Sequence, residues 1–455
     1  MRYNARMKIT VIGTGYVGIV TAACLAEIGH EVLGIDKDTK KIEILKKGEI
    51  PIYEPELKEL VNRNQKKGKL HFETDFKKGM EFGEMVINAV GTPEILNLNG
   101  PQIDLNAIYD VALEFGKFVS KKTLFVNKST VPVGTTEVME GLIRETLKKR
   151  GISNLNASKL FSIVHNPEFL REGTAIEDFL KPYRIVVGVN ASSARLKMKK
   201  LYEPILKKGY PILFTDLRTA EMIKYASNAF LATKVSFINE MANFCELSGA
   251  DIREVEKGMK WDPRIGQNYL KAGIGYGGSC LPKDVRSLIQ QGENKKYEFK
   301  LLKAVDAINI AQPLRLIQKI KGVYPILKGL KIAIWGVTFK PETDDLREAP
   351  GLQILSRLLE EGAEVRVFDP KGMEKLRKTV SSKNIFYMRT PEEALKGADA
   401  LLVLTEWDAF KKIPLNTLKK QMKNPVLIDA RNFYDKVKVK REGIDYVGIG
   451  NDFIL

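Results

Sequence analysis

Two hydrophobic periods alternate along this chain. Short unbroken apolar runs bounded by glycine, proline or acidic residues read as buried strands, and stretches with helical spacing separate them. The first run is Met7-Lys-Ile-Thr-Val-Ile12, followed by an apolar helix pattern from Ile19 to Ile28 and a second run, Glu31-Val-Leu-Gly-Ile-Asp36. Glu84-Met-Val-Ile-Asn-Ala-Val90, Thr123-Leu-Phe-Val-Asn-Lys128, Phe161-Ser-Ile-Val-His165 and Ile185-Val-Val-Gly-Val189 continue the alternation. Strands that alternate with helices predict a doubly wound α/β domain, closing near Phe214.

From Thr219 to about Leu247 the spacing changes to one long helical pattern with no internal proline or glycine. Apolar residues such as Met222, Phe230, Val235, Ile238, Met241 and Phe244 occupy most of its length, which predicts a spine that packs domains or subunits together. A second helical stretch, about Phe299 to Ile320, contains Pro313, which is expected to break or kink it. From Leu330 the opening pattern returns. Lys331-Ile-Ala-Ile-Trp-Gly336, Glu364-Val-Arg-Val-Phe-Asp369, Leu401-Leu-Val-Leu-Thr405 and Pro425-Val-Leu-Ile-Asp-Ala430 predict a second doubly wound α/β domain. The expected architecture is therefore two Rossmann-like domains, 1–214 and 325–455, joined by a helical domain, 215–324.

Bulk properties narrow the function only a little. A chain of 455 residues exceeds one core, and 44% hydrophobic with 28% charged residues is ordinary for a globular protein. No apolar run is long enough to span a membrane, and Met1-Arg-Tyr-Asn-Ala-Arg6 lacks the apolar segment of a secretory signal. Three cysteines make no disulfide framework, which fits a reducing cytoplasm; Cys24 and Cys245 lie in apolar helical patterns and read as packing residues. The net charge of +17 raises the question of nucleic acid, but the lysines are spread in pairs such as Lys46-Lys47 and Lys207-Lys208. No recognised nucleic-acid module accompanies them, so the excess reads as solvated surface.

Candidate chemistry begins at the first turn. Strand, Gly13-Thr-Gly-Tyr-Val-Gly18, helix, strand and Asp36 form the complete dinucleotide-binding fingerprint. Gly13 makes the tight turn, Gly15 admits the pyrophosphate, and Gly18 lets the helix approach the strand. Asp36 would accept hydrogen bonds from ribose hydroxyls and repel a 2′-phosphate, which favours NAD; Lys37 and Lys41 weigh the other way. Thr92 and Thr130 follow later strands and are expected to border the cofactor, while Glu168 and Glu172 follow another. As a bland alternative, Glu168 caps the next helix. Lys224 and Asn228 share one helix face, a spacing more common in solvated pairs than in catalysis.

The third cysteine is different. Cys280 stands in Gly273-Ile-Gly-Tyr-Gly-Gly-Ser-Cys-Leu-Pro-Lys-Asp284, a glycine-rich stretch with Lys283 and Asp284 close behind. A neighbouring cation favours the nucleophilic thiolate. Equally, such a stretch alone is a turn around a buried cysteine. The second α/β domain lacks the glycine fingerprint and has Gly336-Val-Thr-Phe-Lys340 in its place, with Lys340, Arg347 and Arg431 available for the phosphates of a different nucleotide.

Taken together these motifs closely resemble the UDP-glucose/GDP-mannose dehydrogenases. Gly13 to Gly18, Ser129-Thr-Val-Pro-Val-Gly-Thr135, Asn166-Pro-Glu-Phe-Leu-Arg-Glu-Gly173, Gly277-Gly-Ser-Cys-Leu-Pro-Lys-Asp284 and Phe339-Lys340 stand in family order across nearly the whole chain. Asp262-Pro-Arg-Ile-Gly266 before Tyr269-Leu-Lys-Ala-Gly273, and Gly-Gly-Ser-Cys rather than Gly-Gly-His-Cys, resemble the branch acting on UDP-glucose. Ile274 and Tyr276 depart from the proline and phenylalanine common there.

The resemblance implies a four-electron oxidation of a primary alcohol to a carboxylate, with Cys280 capturing the aldehyde as a thiohemiacetal that becomes a thioester. Lys224 and Asn228 would stabilise oxyanions, Asp284 and Thr130 would hold a water, and Glu168 would assist hydrolysis. The cofactor, NAD, would touch Gly13, Gly15, Tyr16, Val17 and Gly18, then Asp36, Lys41, Thr92 and Thr130. Glu172, Lys283 and Arg347 complete that set. The UDP-sugar would meet Glu168, Phe169, Leu170, Arg171 and Glu172, with Lys224 and Asn228. Tyr269, Leu270, Lys271, Ala272, Gly273 and Gly277 follow, then Lys340 and Arg431. Arg264 would reach the sugar of a neighbouring subunit, implying at least a homodimer, and no metal is called for. The rivals are a two-electron hydroxyacid dehydrogenase, which needs no nucleophilic cysteine, and a non-enzymatic NAD-sensing or polyanion-binding protein.

Overall fold

The computed structural model describes residues 6–97 and 100–451, and the chain divides into two compact units, Met1–Ser227 and Asn228–Leu455. In the first unit the strands are β1 (Lys8–Ile12), β2 (Glu31–Ile35), β3 (Leu70–Glu73) and β4 (Met85–Asn88). A small antiparallel hairpin, β5 (Glu94–Asn97) with β6 (Gly100–Ile103), precedes β7 (Thr123–Asn127), β8 (Phe161–His165), β9 (Ile185–Val189) and β10 (Ile212–Thr215). The main sheet runs β10-β9-β8-β7-β4-β1-β2-β3. From β3 across to β8 every pairing is parallel; β9 turns antiparallel to β8, and β10 runs parallel to β9. The sheet is doubly wound, and its strand order reverses between β1 and β4.

Alternate residues explain why these apolar runs are strands. Val11, Ile87 and Val126 pack into the layer that holds the helix Tyr16–Glu27. Their neighbours Ile12, Val86 and Phe125 pack into the opposite layer with Phe115 and Ile143. Both faces are covered, so both registers must be apolar. Each such side chain contributes about 1.5–3 kcal/mol by leaving water.

The second unit repeats the plan. Its strands are β11 (Lys331–Trp335), β12 (Glu364–Phe368), β13 (Ile385–Tyr387), β14 (Ala400–Val403), β15 (Val426–Asp429) and β16 (Asp445–Val447). They form an all-parallel sheet in the order β13-β12-β11-β14-β15-β16. Ile332 and Ile334 point to one layer, Ala333 and Trp335 to the other.

The long helix spans Leu217–Ser248, close to its predicted bounds, and the division between the units falls within it. The expected break at Pro313 is absent, because the helix Lys300–Val323 continues through it. Proline removes the N–H that would bond the Asn309 carbonyl. Packing compensates: Pro313, Leu316, Ile317 and Ile320 are all buried. The Asn309 side chain meanwhile accepts from the Tyr276 N–H at 2.8 Å and donates to its carbonyl at 3.0 Å.

Candidate active site

At the first turn, backbone shape decides which residues fit. Gly13 has a φ of +88°, and a side chain there would meet the backbone of Ala89 and Val90 at 2.9 Å. A Cβ at Gly18 would lie 1.7 Å from the Gly13 carbonyl oxygen. Gly15 is the opposite case: nothing lies within 4 Å of a Cβ placed there. That open space sits at the N-terminus of the Tyr16–Glu27 helix, where unpaired N–H groups and the helix dipole favour a pyrophosphate. The turn therefore fits a dinucleotide.

Asp36 braces the same turn. One carboxylate oxygen accepts from the Thr14 N–H and hydroxyl, both at 2.9 Å, and from Lys41 at 3.0 Å. The other accepts from the Asp38 N–H at 3.1 Å. Burial pushes the Asp36 carboxyl up, but these hydrogen bonds and the Lys41 charge outweigh it and hold it below its ordinary range. Lys41 thus acts first on Asp36.

At the carboxyl ends of β4 and β7, the Thr92 hydroxyl donates to the Thr130 carbonyl at 3.0 Å. Beyond β8, Glu168 is 6% exposed and accepts from Lys224 at 3.1 Å and from the Leu170 N–H at 2.6 Å. It is no cap for the next helix, Ala175–Leu180: Glu54 accepts from the Ala175 N–H instead. Lys224 also lies 5.3 Å from the centre of the Phe169 ring, whose face carries Arg184 at 3.6 Å. Arg171 pairs with Asp178 at 2.6 Å, and the Leu170 side chain packs against the core.

Lys128, directly after β7, is a buried cation in the same region. It donates to Asn166 at 3.4 Å, and burial pushes its ammonium down to about 8 despite the Glu168 carboxylate. Glu221, 1% exposed on the long helix, accepts from the N–H groups of Gly134 and Thr136. It thereby ties that helix to the segment carrying Thr130.

In the second unit Cys280 is the N-cap of the helix Leu281–Asn294, and it is the exposed cysteine while Cys24 and Cys245 are buried. A helix N-terminus favours an anion. Burial pushes both other thiols up, Cys24 well beyond the ordinary range. Asp284, 1% exposed in the first turn of the helix, accepts from Asn228 at 2.6 Å and from Lys283 at 2.7 Å. The cysteine loop is tightly enclosed: a Cβ on Gly277 would lie 2.2 Å from the Glu348 carbonyl oxygen. Upstream, the Gly273 N–H donates to Asn239 and the Ala272 N–H to Glu256. Leu270 and Ala272 are buried, while Lys271 reaches Glu406 at 3.5 Å. Tyr269 adopts a φ of +62° just before it.

Arg431, expected among the phosphate contacts, already holds three backbone carbonyls. Its Nε, Nη1 and Nη2 donate to the carbonyls of Leu404, Gly275 and Phe339 at 2.9, 3.0 and 3.4 Å. It clamps the cysteine loop to the strand ends, since a largely buried guanidinium must spend its donors on nearby acceptors. Lys340 sits 5.6 Å over the Phe339 ring, and Arg347, 63% exposed, is bidentate to Asp345.

Comparison with known proteins identifies the whole arrangement. Residues 7–206 match the model for the NAD binding domain of the UDP-glucose/GDP-mannose dehydrogenase family, residues 218–311 its central domain, and residues 333–436 its UDP binding domain. The chain belongs to that family. UDP-glucose 6-dehydrogenase of Rhizobium meliloti (strain 1021) is 43% identical over 98% of this chain and 99% of its own. UDP-glucose 6-dehydrogenase YwqF of Bacillus subtilis (strain 168) is 44% identical over 99% of both. Among solved structures, a UDP-glucose dehydrogenase from the hyperthermophilic archaeon Pyrobaculum islandicum superposes with a TM-score of 0.88 at 35% identity, covering 99% of each chain. A UDP-D-ManNAc dehydrogenase from Pyrococcus horikoshii gives 0.83 at 27% identity, covering 98% of this chain and 99% of that one.

As a member of this dehydrogenase family the protein uses NAD, and its open turn at Gly15 suits that cofactor. No helix among the described residues is long and apolar enough to cross a membrane. Glu54, Lys128, Glu221 and Asn239 escaped the sequence reading. For Glu221 a signal existed: Glu221, Lys224 and Asn228 form a polar line at helical spacing along an apolar helix.

Proposed function

We propose that this dehydrogenase oxidises UDP-glucose to UDP-glucuronate in two successive two-electron steps. The observation that carries the reading is Cys280: an exposed thiol capping a helix whose first turn holds Asp284 against Asn228. An alcohol-to-aldehyde oxidation needs no nucleophile; continuing to the acid does. NAD, when bound, supplies the hydride acceptor, two molecules being reduced per sugar.

The protein's own groups do the rest. The Cys280 Sγ adds to the C6 aldehyde, and the carbonyl oxygen so charged is met by the Lys224 ammonium and the Asn228 amide as donors. Loss of the second hydride leaves a thioester, and water cleaves it to the carboxylate and the free thiol. Glu168 serves that hydrolysis, while Asp284 and Thr130 hold the water. Residues 1–214 form the NAD domain, 215–324 the helical domain with the cysteine loop, and 325–455 the domain for the UDP-sugar, with Lys340 among its contacts. Arg347, Lys283 and Glu172 serve the cofactor.

The protein works as a homodimer at least. Phe230, Phe237 and Phe244 recur every seventh position of the long helix and stand 65%, 43% and 63% exposed. Such a stripe fits a second copy. Lys234 on the same helix holds the Ile265 carbonyl at 3.1 Å, and the neighbouring Arg264, 87% exposed and paired with Asp262, would serve a partner's sugar. Free thiols and a nucleotide-sugar substrate fit the cytoplasm.

The test is NADH release from UDP-glucose, GDP-mannose and a UDP-N-acetylhexosamine. UDP-glucose should give the highest kcat/KM; a higher value for another sugar keeps the chemistry and changes the substrate. Mixed dimers of Arg264→Ala and Cys280→Ala chains should regain activity that neither variant has alone.

A further inference from the structure

Glu54 lies outside every motif so far discussed, yet its carboxylate joins two of them. It is 3% exposed. One oxygen accepts both the Tyr16 hydroxyl and, at 2.6 Å, the N–H of Gly173. The other accepts the Ala175 N–H at 2.7 Å. Tyr16 opens the helix that follows Gly15. Gly173, at a φ of +82°, closes the Glu168–Glu172 segment. A buried carboxylate holds its place only while its donors do, so a displacement of either partner is felt by the other through the shared oxygen.

We propose that Glu54 is a positioning residue that couples the two ligand sites, so that occupation of the dinucleotide turn at Tyr16 and of the sugar-binding segment ending at Gly173 favour each other. The inference rests on UDP-glucose as substrate. A purely local role is the alternative: Glu54 capping the helix Ala175–Leu180, for which its bonds to Gly173 and Ala175 suffice. Tyr16 separates the two, since capping does not need its hydroxyl. Burial and the nearby carboxylates of Glu54 and Glu172 push that hydroxyl far above its ordinary range, so it stays a donor throughout the working pH range.

The experiment is calorimetric titration of the full-length chain with UDP-glucose, alone and with saturating NADH. NADH cannot accept a hydride, so nothing turns over. In the wild type NADH should tighten UDP-glucose by about fivefold or more, and by linkage UDP-glucose should tighten NADH equally. In Tyr16→Phe that ratio should fall to within about twofold of one, whatever happens to either absolute constant. Glu54→Gln should lose the ratio as well, and the double variant should lose no more than either single one. Melting temperatures taken alongside separate lost coupling from lost folding. A wild-type ratio near one, or a Tyr16→Phe ratio equal to that of the wild type, overturns the coupling. Failure of the wild type to bind UDP-glucose at all overturns the substrate reading and the coupling with it.

Discussion

The two units carry the same sheet and use it differently. Each places its first strand beside its second and fourth, and each ends its second strand in an aspartate that braces the first turn. The Gly13 N–H donates to the Ile35 carbonyl at 2.8 Å, and the Gly336 N–H to the Phe368 carbonyl at 2.8 Å. Asp36 accepts from the Thr14 N–H and hydroxyl; Asp369 accepts from the N–H groups of Val337 and Thr338 and from the Thr338 hydroxyl. The difference lies in the second oxygen. That of Asp369 is taken by the N–H groups of Lys371 and Gly372, leaving the residue 1% exposed. That of Asp36 meets one N–H at 3.1 Å, where that of Asp369 meets two. The helices differ too: one starts at Tyr16, directly after the turn, the other only at Pro350, beyond a long loop carrying Lys340 and Arg347.

The cation after the fifth strand of each order makes the same point. Lys128 is buried near a carboxylate and a second ammonium, and is pushed down to about 8. Arg431 is spent on three carbonyls. One fold therefore yields a site poised for a cofactor in the first unit, and a braced platform for the cysteine loop in the second.

Removing the nucleophile should have the largest effect. Cys280→Ser should lose turnover on the order of 10³-fold or more, with NAD binding retained. A serine variant making acid at a near-normal rate rules out the thioester.

The paired aspartates come next. Asp36→Ala should weaken NAD by roughly ten- to a hundredfold, the value of hydrogen bonds to a charged group. Asp369→Ala should leave NAD affinity alone and cost about 3 kcal/mol of stability, because it strands several buried N–H groups. Identical behaviour of the two variants, by calorimetry and denaturant melts, would erase the distinction. The same carboxylate should make kcat/KM with NAD exceed that with NADP by on the order of 10², the cost of facing a 2′-phosphate with a like charge. Equal values would transfer the role to Lys37 and Lys41.

A smaller effect should follow from Lys128. Its ammonium titrates near 8 when folded, against 10.5 for the ordinary value, so the folded chain binds fewer protons between those limits. Stability should therefore rise with pH from about 8 to 10.5 relative to a Lys128→Met chain. Parallel melting curves for the two proteins across that window would show that the site is not as dry as the geometry implies.

Much of this was legible in the sequence because it is local. A glycine turn after an apolar strand, or an acid ending the next strand, has a fixed spacing that physics demands. The strands that escaped, β3, β5, β6, β10, β13 and β16, are short, and β3 alternates buried with exposed positions in Leu-His-Phe-Glu. Glu54, and the carbonyl that Arg431 holds, escaped for another reason: these contacts reach more than a hundred residues along the chain, to Gly173 and Gly275. Only the folded chain shows that Arg431 also braces three backbone carbonyls. Pro313 does not break its helix, since the packing of the buried residues beside it outweighs one missing hydrogen bond.

The central claim is that one cysteine turns a two-electron dehydrogenase into a four-electron one. Its direct test is the stoichiometry of a limiting amount of UDP-glucose run to completion with excess NAD, counting NADH and identifying the sugar product. The account predicts two NADH per UDP-glucose and UDP-glucuronate as the product. One NADH per sugar, with the aldehyde released, would contradict it.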